Sequence, residues 1–216
     1  AVGWAMRGMC LYKLKRSHEA GFCLSHKLIQ KSDDPLVTWL MGEYMEETGN
    51  ITRAEQQYLE VPQVHIAQPL PQIGLARLYY HQKRFWESIE VCDRILKTYP
   101  GLPKALYYKG ESLYAIERVP EALASFLEIC ENYPEHLISC VKAARCYLKL
   151  GDYAEAEKYV TMVIEKDETI IEALRMMAFI LLKRGAKSEA RVYLDKILAR
   201  DPENEWARKM VSIKFL

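Results

Sequence analysis

A regular spacing of small residues constrains this chain more than any other feature. Two series of Gly, Ala or Ser each repeat every 34 residues, and neither loses register over six copies. The first series is Gly8, Gly42, Ala76, Gly110, Ala144 and Ala178. The second series is Ala20, Ala54, Ser88, Ala122, Ala156 and Ala190. A fixed period of this length predicts a tandem array of structural repeats.

The residues around the small positions predict two antiparallel helices in each repeat, joined by a short turn. Small residues let the two backbones approach closely where the helices cross, and large residues fill the flanks. One flanking repeat position is occupied by Leu24, Tyr58, Cys92, Phe126, Val160 and Leu194. Pro100, Pro134 and Pro202 are expected to end second helices, because the residue before a proline disfavours helical dihedral angles.

Residues 105–126, with Gly110, Tyr114, Ala122 and Phe126, show the pattern in full, and it resembles the tetratricopeptide repeat (TPR) family over the whole chain. The resemblance implies an all-α fold, a TPR α-solenoid that forms a right-handed superhelix. We expect a single array over residues 1–216. Its six helix-turn-helix repeats are predicted at 1–34, 35–68, 69–102, 103–136, 137–170 and 171–204, followed by a capping helix or seventh first helix at 205–216.

Three local features qualify this pattern. The second helix of repeat two is expected to be short because Pro62 interrupts it, and residues 62–71 are interpreted either as a connector or as a docking ledge. Ser17 and Asp152 are predicted N-caps of second helices. The last helix carries apolar residues, among them Trp206 and Ile213, so we expect a further repeat or a partner to cover that end.

Composition excludes several classes of protein. With 30 basic and 29 acidic residues the chain has no excess positive charge for direct nucleic-acid binding. Its longest apolar run, residues 176–182, is too short to span a membrane. The six cysteines have no metal-ligand spacing and are expected to be buried free thiols. Free thiols favour a reducing compartment, so we expect a nuclear or cytoplasmic protein.

No motif for catalysis is present in the sequence. It lacks G-x-S-x-G, P-loop and G-x-G-x-x-G patterns, and its histidines have no ligand-like spacing. We therefore expect no enzyme activity, no catalytic residue, no cofactor and no metal site.

The resemblance to TPR proteins implies that first helices line a concave groove that binds a peptide or helix of another protein. Mapped onto this sequence, the groove residues are Trp39, Glu43, Arg77, Tyr80, Tyr107, Glu111, Tyr114, Arg145, Lys149 and Phe179. Glu46, Glu47, Arg175 and Lys183 are further members. The face is aromatic in the middle, acidic towards the N-terminus and basic towards the C-terminus, as is typical of a binding surface. The alternative is that several of these tyrosines pack between neighbouring repeats.

The predicted function is a non-catalytic scaffold segment in a eukaryotic multi-subunit complex. Gly74, Tyr79, Pro100 and Gly110 lie in a stretch similar to the TPR scaffold subunit of the RNA polymerase II-associated factor complex, which implies a role in transcription elongation. The alternatives are a self-associating TPR subunit of the anaphase-promoting ubiquitin ligase and an auxiliary subunit of an N-terminal acetyltransferase. The asparagines with which chaperone-binding TPR domains hold a carboxylate are missing from their usual repeat position, so a chaperone adaptor is not expected.

Overall fold

A computed structural model describes residues 1–60 and 69–214, and within these residues the chain is helical with short turns and no strand. The helices are α1 (Val2–Lys13), α2 (Ser17–Leu24), α3 (Lys27–Gln30), α4 (Pro35–Glu47), α5 (Ile51–Leu59), α6 (Leu70–His81), α7 (Phe85–Thr98), α8 (Pro103–Ala115), α9 (Val119–Asn132), α10 (Leu137–Leu150), α11 (Tyr153–Lys166), α12 (Ile171–Arg184), α13 (Lys187–Arg200) and α14 (Glu205–Lys214). The all-α prediction is confirmed.

The chain divides into two compact units, residues 1–112 and residues 113–216, with the boundary inside α8. In the N-terminal unit α1 packs against α2, α4 against α5, and α6 against α7. In the C-terminal unit α10 packs against α11, α12 against α13, and α14 against α13. These pairs coincide with predicted repeats, whereas the grouping of all repeats into one array over residues 1–216 stays a prediction.

The small residues of the first helices lie where a larger side chain would collide with the second helix. A Cβ added to Gly8 would lie 2.5 Å from Cγ of Leu24, and one added to Gly42 would overlap the ring of Tyr58. A Cβ on Gly74 would lie 2.7 Å from Cε1 of the same ring. Because interiors are packed at crystal density, these contacts leave no room for alanine without movement. The close approach inferred from the spacing is confirmed at these crossings.

The turn between the two helices of each repeat contains a residue in the left-handed region. These residues recur at the same 34-residue period. They are Lys15 (φ 60°), Gly49 (φ 80°), Lys83 (φ 62°), Glu117 (φ 65°), Gly151 (φ 83°) and Gly185 (φ 83°). Three of them carry a side chain, although this conformation favours glycine.

Repeat one departs from the regular pattern, because its second helix is broken into α2 and α3. Ser25 follows the last residue of α2, and its hydroxyl donates to the carbonyl of Phe22 at 3.2 Å. The ring of His26 stacks on Trp4 of α1, with centroids 4.3 Å apart. A local hydrogen bond and a contact with the first helix thus coincide with the interruption.

The cap predictions have different outcomes. Asp152 caps α11, where its carboxylate accepts a hydrogen bond from the backbone N–H of Glu155 at 3.1 Å. The prediction for Ser17 is wrong: it is the first residue inside α2, and Arg16 occupies the N-cap position without a side-chain cap bond.

Repeat two has the short second helix that Pro62 predicted, since α5 covers 9 residues and α11 covers 14. The proposed connector or ledge at residues 62–71 lies largely outside the described residues. Its described end begins α6, where Pro71 lies in the first turn.

Candidate functional site

The ten groove residues predicted from the sequence divide between the two units. Trp39 on α4 is partly buried, and it packs against the apolar cluster that includes Leu40 and against the one that includes Leu78. The Trp39 ring therefore contributes to packing between neighbouring repeats. This is the role that the alternative interpretation gave to several of the tyrosines.

Arg77 of α6 joins two carboxylates of α4 in a half-buried charge cluster. Its guanidinium donates to Oε1 of Glu43 at 2.6 Å and to Oε1 of Glu46 at 2.8 Å. The Tyr58 hydroxyl, from α5, donates to the same Glu46 oxygen at 2.6 Å. The side chains of Arg77, Glu43 and Glu46 are 24%, 19% and 15% exposed. Three helices are thus linked by charge-assisted hydrogen bonds, which are stronger than neutral ones.

The electrostatics of this cluster follow from its burial and composition. Burial alone would lower the pKa of Arg77, but the hydrogen bonds that it donates to Glu43 and Glu46 outweigh burial and hold that pKa above its ordinary value. Burial, followed by the hydrogen bond to Glu46, raises the pKa of Tyr58. Arg77 therefore stays cationic and Tyr58 stays neutral at neutral pH. With two carboxylates and one guanidinium, the cluster leaves excess negative charge on this face.

An aromatic patch lies beside this cluster, on α6 and α8. The Tyr80 hydroxyl donates to Oε2 of Glu111 at 3.2 Å, and the Tyr80 ring lies 6.1 Å from that of Tyr108. Tyr107 meets Tyr108 edge-on at 5.5 Å. Glu111 is buried, whereas Tyr80 and Tyr107 are half-buried. The structure thus brings Tyr80, Tyr107 and Glu111 together and adds Tyr108.

In the C-terminal unit, Tyr114 lies beneath two cations of α10. The guanidinium carbon of Arg145 is 4.4 Å from the ring centroid of Tyr114, and Nζ of Lys149 is 4.8 Å from it. Lys149 also forms an ion pair with Glu117 at 2.5 Å. Cations over an aromatic face are attracted by the ring quadrupole, so these contacts fix the two long side chains above the helix surface.

A cavity of about 250 Å³ opens between α10, α12 and α14 in the same unit. Its lining residues are Arg145, Leu148, Glu172, Arg175, Met176, Phe179 and Trp206. The guanidinium carbon of Arg175 lies 5.9 Å from the Trp206 ring, and Nζ of Lys183 lies 5.6 Å from the Phe179 ring. Three of the predicted groove residues, Arg145, Arg175 and Phe179, therefore line one cavity with an apolar floor and cationic edges.

The structure adds two residues and one ion pair to the predicted set, and each had a signal in the sequence. Trp206 was noted in the sequence as an apolar residue of the last helix, but it lies one repeat length after Glu172, a position outside the predicted groove set. Tyr108 follows a predicted groove residue directly. The pairing of Glu43 with Arg77 follows from their separation by one repeat length, because equivalent residues of successive first helices are neighbours.

Other structural findings concern metals, membranes and thiols. Across the two described ranges, the structure contains no group of three or more His, Cys, Asp or Glu side chains arranged to hold a metal ion. None of the described helices is long and apolar enough to span a bilayer. All six cysteines are free; five are buried as predicted, and Cys10 is exposed.

Comparisons with known proteins relate this geometry to a family. Residues 111–213, slightly less than half of the chain, match the family model of the coatomer epsilon subunit. TPR repeat-containing protein MJ1428 of Methanocaldococcus jannaschii is 24% identical over 166 residues, which are 73% of this chain and 29% of that protein. Anaphase-promoting complex subunit CDC16 of Saccharomyces cerevisiae is 21% identical over 180 residues, 82% of this chain and 21% of that protein. The chain thus spans less than a third of the length of either relative.

Solved structures show the same fold. The TPR protein YrrB, whose crystal structure is described as having an unusual peptide-binding site, superposes with a TM-score of 0.70 at 15% identity, covering 88% of this chain and 98% of that one. MamA from Desulfovibrio magneticus gives a TM-score of 0.71 at 15% identity, covering 81% and 98%. The finer resemblance to the RNA polymerase II-associated scaffold receives no support from these matches. The 34-residue repeats, the relatives and the solved structures together support a tetratricopeptide-repeat fold for this chain.

Proposed function

We propose that this chain is a non-catalytic protein-interaction scaffold within a multi-subunit assembly. Its first helices bind a peptide or helical segment of another protein. Each unit carries its own candidate binding residues: Trp39, Glu43, Arg77, Tyr80, Tyr107 and Glu111 in the N-terminal unit, and Tyr114, Arg145, Lys149 and Phe179 in the C-terminal unit. We place this function in the nucleus or cytoplasm, where the free thiols stay reduced.

One observation carries this proposal: aromatic rings on the first helices remain partly exposed, and those of Tyr114 and Phe179 lie next to cations. Tyr107, Tyr114 and Phe179 belong to this group. Aromatic residues next to arginine are enriched in the energetically dominant part of protein interfaces. Other groove residues have structural roles as well, since Glu43 and Arg77 neutralise one another and Trp39 packs in the core. We therefore expect the half-exposed aromatics to dominate the binding free energy.

Affinity purification with mass spectrometry tests the proposal. The tagged full chain, a Tyr107→Ala variant and a Phe179→Ala variant are each expressed in eukaryotic cells, and the recovered proteins are quantified. We expect each variant to lose most of at least one partner, because truncating a central aromatic anchor commonly costs 2 kcal/mol or more, roughly a thirty-fold loss of affinity.

The matched control is Val192→Ala on the second helix α13, where the side chain is 54% exposed. This variant should recover the same partners as the unmodified chain, and circular dichroism should show equal helicity for all variants. Full recovery by both first-helix variants, or an equal loss by the control, would remove the first helices as the binding surface.

A self-associating subunit of a cell-cycle ubiquitin ligase is the second candidate. Its support is the 21% identity to subunit CDC16 over 82% of this chain. This function requires association of the chain with a second copy. Light scattering of the purified chain over a range of concentrations separates the two candidates, since a concentration-independent monomeric mass contradicts self-association.

A further inference from the structure

The cavity between α10, α12 and α14 has a size and an apolar floor that suit one inserted side chain. Its volume of about 250 Å³ lies just below the range of roughly 300–1,000 Å³ of small-molecule sites. Met176 is buried at its floor, and Phe179 and Trp206 are half-buried at its walls. A single aliphatic or aromatic residue placed there would contact these apolar groups.

The charges around the cavity are mostly positive. Arg145 and Arg175 line it, and Lys183 adjoins it over the Phe179 ring. Glu172 is the one carboxylate among the lining residues.

Two of these cations differ from most other basic residues of α12 and α13. Among residues 1–60 and 69–214, neither Arg175 nor Lys183 has a carboxylate oxygen within ion-pair distance. Their neighbours are paired: Arg184 with Glu157, and both Lys196 and Arg200 with Glu168. Arg175 and Lys183 instead lie over aromatic rings, which orient each cation without neutralising it.

From this arrangement we infer that the cavity binds an acidic segment of a partner protein, in which one bulky apolar residue is flanked by Asp or Glu. The apolar residue enters between Phe179 and Trp206, and the flanking carboxylates meet Arg175 and Lys183. The inference rests on the proposed scaffold function and adds the chemistry of the partner. It also gives α14 a role in binding, since Trp206 forms one wall.

A random-peptide display selection against the full chain tests the inference without knowledge of the natural partner. We expect the enriched peptides to share one bulky apolar residue flanked by acidic residues. Enrichment of neutral or basic peptides, or no enrichment, would overturn it.

Affinities of the strongest enriched peptide, measured by fluorescence polarisation, then locate the binding site. Arg175→Glu should weaken binding at least ten-fold, because it replaces a charge-assisted contact by repulsion. Glu172→Gln should tighten binding, because it removes the one opposing carboxylate. Arg191→Glu on the second helix α13 makes the same charge change and should leave the affinity unchanged. Unchanged binding by Arg175→Glu, or weaker binding by Glu172→Gln, would contradict the inference.

Trp206→Ala tests the apolar wall and should weaken binding about ten-fold or more. Trp206 also packs on the cluster around Leu194, so the helicity of the Trp206→Ala variant must match that of the unmodified chain. Arg175→Glu changes an exposed side chain and therefore tests the inference without affecting folding. If the cellular partners are lost by Tyr107→Ala but retained by Arg175→Glu, the scaffold function stands and this inference fails.

Discussion

Replacement of Gly42 by alanine should destabilise the chain, although alanine is the better helix former. The new Cβ would overlap the Tyr58 ring. The same ring packs closely on Gly74, where an added Cβ would also collide, and its hydroxyl donates to Glu46 at 2.6 Å, so both contacts restrain the ring. Tyr58 is 2% exposed, so it cannot turn into solvent without leaving the core.

The magnitude follows from three contributions. Overpacking of a core costs about 1–3 kcal/mol. Displacement of Tyr58 from Glu46 would add about 1.5–3 kcal/mol, because the acceptor is charged. The helix propensity of alanine returns about 1 kcal/mol. We expect a net loss of about 1.5–5 kcal/mol in the free energy of unfolding.

The matched control is Gly21→Ala in α2, where an added Cβ meets nothing within 4 Å. This variant should gain about 0.5–1 kcal/mol, so the two substitutions differ in sign. Urea denaturation followed by circular dichroism measures both. The loss at Gly42 should be smaller in a Tyr58→Val background, which resembles the pair Ala144 and Val160 of repeat five. Stabilisation by Gly42→Ala would refute the account of helix contact.

Three further predictions concern the turns, the charge cluster and the thiols. Lys83→Gly should stabilise the fold by about 0.5–1 kcal/mol, because the left-handed conformation costs a residue with a side chain about 1–2 kcal/mol and glycine gives back part of this gain as backbone entropy. Thermal unfolding measures the change, and a gain of equal size from Lys83→Ala would contradict the explanation. Arg77→Met should destabilise the fold by about 2 kcal/mol, which is less than the roughly 3–5 kcal/mol lost when a fully buried pair is broken, because Glu43 and Glu46 keep some exposure. An unchanged urea denaturation curve would show that the charge cluster does not stabilise the fold. Burial raises the pKa of Cys92 to about 12. Stability should therefore fall as pH rises from about 8.5 towards 12, because the unfolded thiol loses its proton in this range and the folded one keeps it. A Cys92→Ala variant should show a smaller fall, and equal slopes of stability against pH for the two proteins would exclude this thiol as the cause.

Much of the fold was predictable because one repeat period fixes both local structure and contacts. Gly42 and Tyr58 keep the same separation as Gly8 and Leu24, so one crossing predicts the other. Pro62 predicted the short helix α5 for a local reason, the missing backbone donor.

Other features depended on contacts that the sequence pattern does not specify. No proline or glycine marks the break between α2 and α3, where Ser25 bonds to Phe22 and His26 stacks on Trp4. Lys83 carries no residue-type signal for a left-handed turn, and only the period that links it to Gly49 reveals one.

The candidate site shows the same division. The resemblance to TPR proteins predicted Arg145 and Phe179 as groove residues. The cavity that these two residues share is also lined by Trp206 of α14, which that resemblance did not include. Their grouping depends on how three helices pack, which the period of one repeat does not determine.

Site-specific photocrosslinking in cells tests the central claim most directly, since it reports which surface touches a partner. A benzophenone amino acid is placed at Phe179 on the first helix α12 or at Val192 on the second helix α13. We expect irradiation to join the chain to another protein from position 179 and to give little product from position 192. Crosslinks mainly from position 192, or none from position 179, would contradict a binding surface on the first helices.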